Sequence, residues 1–191
     1  MGFKLSQRNL DKSKATKITG GTCAVSAIIA IVLSMDAGLR INQAGLELIG
    51  NAESCRRDPY MCPAKVLTAG IGSTTGIQRN HNYSDKEIAD MWITDLRIAE
   101  KCVNANFKGK EMPVNAFSAM TSAAFNVGCG GLMTYVNKEK KRVPTTIWKK
   151  AQANDWRGMC ERLPDFNKAG GVELKGLTTR RSKEMALCTK S

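Results

Sequence analysis

Glu53, Cys62 and Thr68 place a carboxylic acid, a thiol and a hydroxyl at fixed intervals, with eight residues between the first two and five between the last two. A carboxyl group at a helix end, flanked by apolar residues, can be held protonated and serve as a general acid. A hydroxyl on a strand can hold a water. A thiolate between them can act as a base or a negative stabiliser, and a disulfide-bonded sulfur can do neither. Cys55 lies inside the set and Cys23 upstream of it, in an uncharged stretch. Cys55 and Cys62 are seven positions apart in a proline-containing loop, which makes a local disulfide geometrically possible. A bond there blocks the middle position. Attack of the Cys23 thiol on the Cys55 sulfur then releases Cys62 as the leaving group.

Glycoside hydrolysis fits the acid and the water-holding hydroxyl: it needs a protonated acid on the leaving oxygen and a second group on the opposite side of the ring. The second group is ordinarily a carboxylate, and here the middle position is Cys62. A different chemistry, a thiol hydrolase, pairs Cys62 with His81, the single histidine of the chain.

The elements that must position these residues can be read from apolar spacing. Leu46, Leu48, Ile49 and Ala52 recur at helical intervals, and Glu53 ends that run. Pro59 and Pro63 forbid a helix through the next segment. Residues 66–71, followed by Gly72, read as a short strand and turn, so a small sheet is expected near residues 65–83. Everything after that reads as helical. Ser84 with Glu87 is a capping box, and Ile88, Met91, Trp92, Leu96, Ala99 and Val103 form one apolar face. Residues 115–127 are apolar on most sides, which predicts a buried central helix stopped by Gly128. Pro144 is expected in the first turn of a helix carrying Ile147 and Trp148. Residues 155–163 predict another short helix, and Thr178 or Thr179 a cap for the last. The fold class is α+β, a small sheet lobe followed by a larger helical lobe.

The chain has 191 residues, enough for one compact domain with its own core. Seven cysteines in a chain that needs no staples point to an oxidising compartment, and their odd number leaves one thiol for exchange. Without a C-x-x-C pair, and with one histidine, the sequence calls for no metal site and no cofactor. The formal net charge is +12, with Lys and Arg scattered along the chain. The aromatic residues are not interleaved with them as a base-stacking platform requires, which excludes nucleic acid as the expected partner. An anionic polymer such as the bacterial cell wall suits a dispersed positive field, and a monomer is the default.

Residues 18–35 carry no charge. Eighteen residues make about 27 Å of helix against a hydrocarbon core of about 30 Å. Lys4, Arg8, Lys12, Lys14 and Lys17 precede them, against the single acid Asp11. The positive-inside rule keeps such a tail, residues 1–17, in the cytoplasm and sends the rest outward. No clean small-residue cleavage site follows, so the segment reads first as an uncleaved anchor, with a cleaved signal peptide and a buried core helix as the alternatives. Residues 36–46 read as a linker.

The stretch GLELIGNAESCRRDPYMCPAKVLTAGIGSTTG resembles the active-site region of phage-type lysozymes, the muramidases of glycoside hydrolase family 24. Glu53, Cys62, Thr68 and Gly70-Ile71-Gly72 match that family's frame. MPVNAFSAMTSAAFNVGCG resembles its central helix and LKGLTTRRSKEMALC its C-terminal Gly-Leu-x-x-Arg-Arg segment. Within the family the likeness is to signal-anchor-release endolysins with cysteine in the middle triad position. The resemblance implies a lysozyme-like domain at residues 36–191 behind a releasable anchor at 18–35. It implies cleavage of peptidoglycan between N-acetylmuramic acid and N-acetylglucosamine, by an enzyme inactive while tethered to the inner membrane and then soluble in the periplasm. It also implies a Cys55–Cys62 bond before release and a Cys23–Cys55 bond after it. A wall-binding protein on the same scaffold is the non-enzymatic alternative. Ser73 stands where some members carry histidine. For the remaining cysteines the expected pairs are Cys102–Cys188 and Cys129–Cys160.

Overall fold

A computed structural model describes residues 21–62 and 65–190. In chain order the regular elements are α1 (Val25–Ser34), α2 (Gln43–Gly50), β1 (Arg56–Met61), β2 (Leu67–Gly70), α3 (Asp85–Asn106) and α4 (Val114–Val127). They are followed by α5 (Cys129–Met133), β3 (Thr134–Val136), β4 (Arg142–Pro144), α6 (Thr146–Gln152), α7 (Trp156–Cys160), β5 (Lys168–Ala169), β6 (Val172–Glu173) and α8 (Lys175–Cys188). Among the described residues the fold is helical, with three two-stranded antiparallel hairpins.

The first core cluster joins α1, α2, β2 and the start of α3 through Ile28, Val32, Leu46, Ile49, Ala69 and Trp92. The second surrounds α4 and takes Val103, Phe107, Phe117, Met120, Leu132 and Leu163. Burying a side chain of this size contributes about 1.5–3 kcal/mol. Phe125 on α4 touches both clusters. The long helix α3 therefore serves as a beam between them. It starts at the expected capping box: Ser84 Oγ accepts from the Glu87 N–H, and the Glu87 carboxylate accepts from the Ser84 N–H. α4 is the expected buried helix, and Gly128 ends it at φ +81°, a conformation that favours glycine.

Several sequence expectations are corrected. The first hairpin lies earlier than residues 65–83. β1 carries Pro59, and its register with β2 shifts between Arg56 and Tyr60, because proline cannot donate to the ladder and sits at such irregularities. The chain after residue 83 is not all helix. Tyr135, Val136 and Val143 form a hairpin whose turn places Lys140 at φ +58°. A smaller hairpin, β5–β6, precedes α8. Pro144 ends β4, and Thr145 supplies the cap of α6. α8 begins at Lys175, so Thr178 and Thr179 lie inside it and their hydroxyls bond the carbonyls of Leu174 and Lys175.

The expected linker is held in place rather than loose. Buried Glu100 on α3 accepts the Arg40 N–H at 2.8 Å and the Ile41 N–H at 2.7 Å. The Arg40 guanidinium stacks 4.5 Å over the Phe117 ring. Asn42 then caps α2 by accepting from the Gly45 N–H.

The basic tail, residues 1–17, and residues 18–20 of the expected anchor lie outside the described residues. Within the rest of that apolar segment, Val25–Ser34 forms α1, which is folded onto α2 and α3. Among the described residues no helix is long and apolar enough to cross a membrane.

Candidate active site

Glu53 follows the C-terminal end of α2, and its N–H donates to the Ile49 carbonyl. Its position is fixed from both sides. The glycine turn after β2 lies against it: a Cβ on Gly72, at φ +80°, would sit 3.7 Å from Glu53 Oε2. From the helical lobe, Arg180 Nη1 donates to Glu53 Oε1 at 2.9 Å. The Glu53 side chain is 28% exposed and that of Arg180 is 7% exposed. Burial strengthens such a pair relative to a surface one.

Arg180 belongs to a buried ionic cluster. Its Nε lies 3.3 Å from Glu184 Oε1, and Arg181 Nε lies 2.8 Å from Glu184 Oε2. Ser122 Oγ donates to Glu184 Oε1 at 2.6 Å, and Arg181 Nη2 donates to Asn126 Oδ1 at 3.1 Å. Burial pushes the Glu184 carboxyl up, while Arg181, Ser122 and Arg180 pull it back. Burial likewise pulls Arg181 down against the opposing charge of Glu184. A groove of about 910 Å³ between α2 and α8 opens beside the cluster, lined by Leu48, Asn51, Glu53, Asn126, Leu177 and Arg180 among others.

Cys62 and Thr68 sit on the first hairpin. The Cys62 N–H donates to the Val66 carbonyl at 3.0 Å, one step beyond the Met61↔Leu67 pair. Tyr60 faces Thr68. Side chains alternate along a strand, so Tyr60, Cys62 and Thr68 share one face of the hairpin. The diagonal positions Cys62 and Thr68 are then about 7–8 Å apart. Thr68 is buried, and its Oγ1 donates to the Val66 carbonyl at 3.0 Å. The groove beside Glu53 is not lined by Cys62 or Thr68. Ser73, after the glycine turn, donates to Asp95, whose carboxyl is pushed up by burial and pulled back by that hydrogen bond.

The N-terminal segment reaches the site through Cys55. Cys23 is disulfide-bonded to Cys55 with a Cα–Cα separation of 5.1 Å. The Cys23 N–H donates to the Cys55 carbonyl and the Arg57 N–H to the Gly21 carbonyl, which pairs residues 21–23 with the start of β1. Cys62 takes part in none of the three described disulfides. The other two join Cys102 to Cys129 and Cys160 to Cys188, which corrects the expected Cys102–Cys188 and Cys129–Cys160. α3 packs on α5 and α7 packs on α8, so each bond joins adjacent elements at Cα separations of 5.7 and 5.5 Å.

His81 Nε2 lies 2.8 Å from Glu87 Oε1, with its ring edge-on to Tyr83. No group of acidic, cysteine and histidine side chains among the described residues is arranged to hold a metal. Sequence reasoning did not single out Arg180, Arg181, Glu184, Ser122 or Asn126. The Arg-Arg pair stood inside the family-like C-terminal segment, which was the one available signal for it.

The phage lysozyme family model covers residues 50–184, and the chain belongs to that family. Among individual relatives, it is 53% identical over 178 residues to the SAR-endolysin of Escherichia phage P1, spanning 93% of this chain and 96% of that one. It is 42% identical over 173 residues to the SAR-endolysin of Haemophilus phage HP1, spanning 87% and 93%. The active form of the P1 phage endolysin Lyz superposes with a TM-score of 0.85 at 54% identity, over 89% of this chain and 96% of that one. The secreted inactive form of the same endolysin gives a TM-score of 0.58 at 57% identity, over 77% and 94%.

Proposed function

We propose that this phage lysozyme is an endolysin that hydrolyses the β-1,4 bond between N-acetylmuramic acid and N-acetylglucosamine in bacterial peptidoglycan. Glu53 is the general acid that protonates the leaving oxygen. Thr68 positions the attacking water from the hairpin, and Cys62 supplies the group between them. The observation that carries this reading is the placement of Glu53, at the end of α2, between the Gly72 turn and the Arg180 guanidinium.

The enzyme is held at the host inner membrane by residues 18–35, with residues 1–17 on the cytoplasmic side and the catalytic domain in the periplasm. While tethered it carries a Cys55–Cys62 disulfide. On release, the Cys23 thiolate attacks the Cys55 sulfur, the Cys55–Cys62 bond breaks, and Cys62 leaves as a thiolate. The number of disulfides is unchanged, so no oxidant is needed. Two features support this order. Cys23 is bonded to Cys55 in a fold that superposes better on the active than on the inactive P1 endolysin. The released segment also has a place to go, because α1 is part of the first core cluster.

Glu53→Gln is the direct test. Loss of lytic activity with retained binding to purified peptidoglycan supports the acid role. Undiminished lysis would sink both the role and the enzyme class assigned here. His81→Ala is expected to leave lysis intact, since a muramidase has no use for that ring, whereas a thiol hydrolase depends on it.

A further inference from the structure

Arg180 contacts two carboxylates at once. Its Nη1 meets Glu53 and its Nε meets Glu184, so one guanidinium bridges an accessible acid and a fully buried one. With Arg181, the cluster holds two positive and two negative groups and is neutral when both glutamates are ionised. Arginine keeps its proton throughout the working range of an enzyme. Two guanidinium groups within 3.3 Å, together with the Ser122 hydroxyl, oppose the upward push that burial gives the Glu184 carboxyl.

A general acid must be protonated at the moment it acts. An arginine that paired Glu53 alone would favour the ionised form and would be left uncompensated in a buried place each time Glu53 took a proton. Glu184 removes that obstacle. When Glu53 is protonated, Arg180 still faces a carboxylate on its other edge. We propose that Glu184 is a positioning residue that shares Arg180 with Glu53, so that Glu53 takes up and gives away the catalytic proton while the buried guanidinium stays paired. This rests on Glu53 being the acid, as proposed above.

Among the described residues no other ionisable group duplicates this part. α4, which packs against α8 and supplies Ser122 and Asn126, contains no ionisable residue. Glu47 on α2 and Glu53 just after it face α8 across the groove, to which α8 adds Lys183 and the residues after its end add Lys190. On α7, Arg157 is engaged with Glu161, and in the turn before β5, Arg162 is engaged with Asp165.

The test is the pH profile of kcat/KM on purified peptidoglycan, measured with the released, soluble full chain. Glu184→Gln is expected to move the alkaline limb to lower pH by about one unit, which means about tenfold less protonated acid above that limb. A role confined to stability would lower yield or Tm and leave the limb in place. Glu184→Gln leaves Arg181 without its counter-charge, so Glu184→Gln/Arg181→Met is measured beside it. The double variant keeps the buried charges balanced and is expected to shift the limb in the same direction. A folded variant of either kind whose alkaline limb coincides with that of the unmodified enzyme overturns the proposal. Glu53→Gln, run in parallel, separates the two ideas. Inactivity of that variant at every pH with an unmoved Glu184→Gln limb removes only the role of Glu184, whereas full activity of Glu53→Gln removes the assignment of the acid itself.

Discussion

Val25, at the start of α1, packs against Gly50, the last residue of α2 and three positions before Glu53. A Cβ built on Gly50 would lie 2.4 Å from Val25 Cγ1. The apolar N-terminal segment is thus seated on the very turn of helix that presents the acid, and only a residue without a side chain allows that approach.

Gly50→Ala should therefore act on the docking of α1. Overpacking of this kind costs about 1–3 kcal/mol. The variant is expected to have a lower Tm and reduced lysis. Val25→Ala removes the methyl that clashes, so Gly50→Ala/Val25→Ala should recover much of the loss. A double-mutant cycle on Tm reads this coupling directly, and strictly additive effects would count against it.

The cysteine switch makes a mapping prediction. Peptide mapping of the membrane-bound form should give Cys55–Cys62, and of the released form Cys23–Cys55. Cys102–Cys129 and Cys160–Cys188 should appear in both. Identical bridges throughout would defeat the exchange.

Cys23→Ser should leave the released protein inactive, because no thiol remains to attack Cys55. Cys23→Ser/Cys55→Ser should restore activity, since Cys62 then has no partner for the inhibitory bond. That double variant loses a staple closing a sequence separation of 32 residues, worth about 3–4 kcal/mol in the chain-entropy picture. Lysis assays paired with thermal melts separate the two effects. An inactive but folded double variant would argue against the lock.

The capping box carries a pH signature. The Ser84 hydroxyl, the Ser84 N–H and His81 hold the Glu87 carboxyl down to about 2 from its usual 4.5. A carboxyl lowered on folding contributes stability above its unfolded value and loses it as pH falls. Glu87→Gln should therefore lower Tm at pH 7, with the difference shrinking between about pH 4.5 and about pH 2. The effect is small because the group is well exposed to solvent. A Tm difference independent of pH would mean that the charge plays no part.

Removing the positive charge of the tail should loosen the tether. The tail ahead of residue 18 carries five bases and one acid. An inside-negative potential resists its outward passage by about 2.3 kcal/mol per charge per 100 mV. Replacing the five basic residues with glutamine should accelerate release in energised cells, and fractionation of membrane and periplasm would show it. Unchanged partition at full potential would refute this account of the tether.

Much of the fold was legible because it follows from local rules. The α3 capping box is a four-residue pattern, and the stop at Gly128 needs one glycine. The all-round apolar sequence of α4 has no place except the interior. The hairpins at residues 134–144 and 168–173 were not legible, since their strands are two or three residues long and show no period. The site divides in the same way. Glu53, Cys62 and Thr68 stand at a recognisable spacing close together in the chain.

Sequence alone determined the spacing of the candidate groups: a carboxylic acid at the end of the α2 run, a thiol and a hydroxyl after it, and the glycines that turn the backbone. Tertiary structure decided what those groups meet. Arg180, Arg181 and Glu184 look in sequence like the solvated face of a charged helix, yet all three are buried, because α8 packs them against α2 and α4. Cysteine partners were likewise set by which helices adjoin. The apolar stretch that becomes α1 satisfies either a bilayer or a protein core, since both reward the burial of the same side chains. In this structure the core formed by α2 and α3 receives it, and Gly50 makes the room.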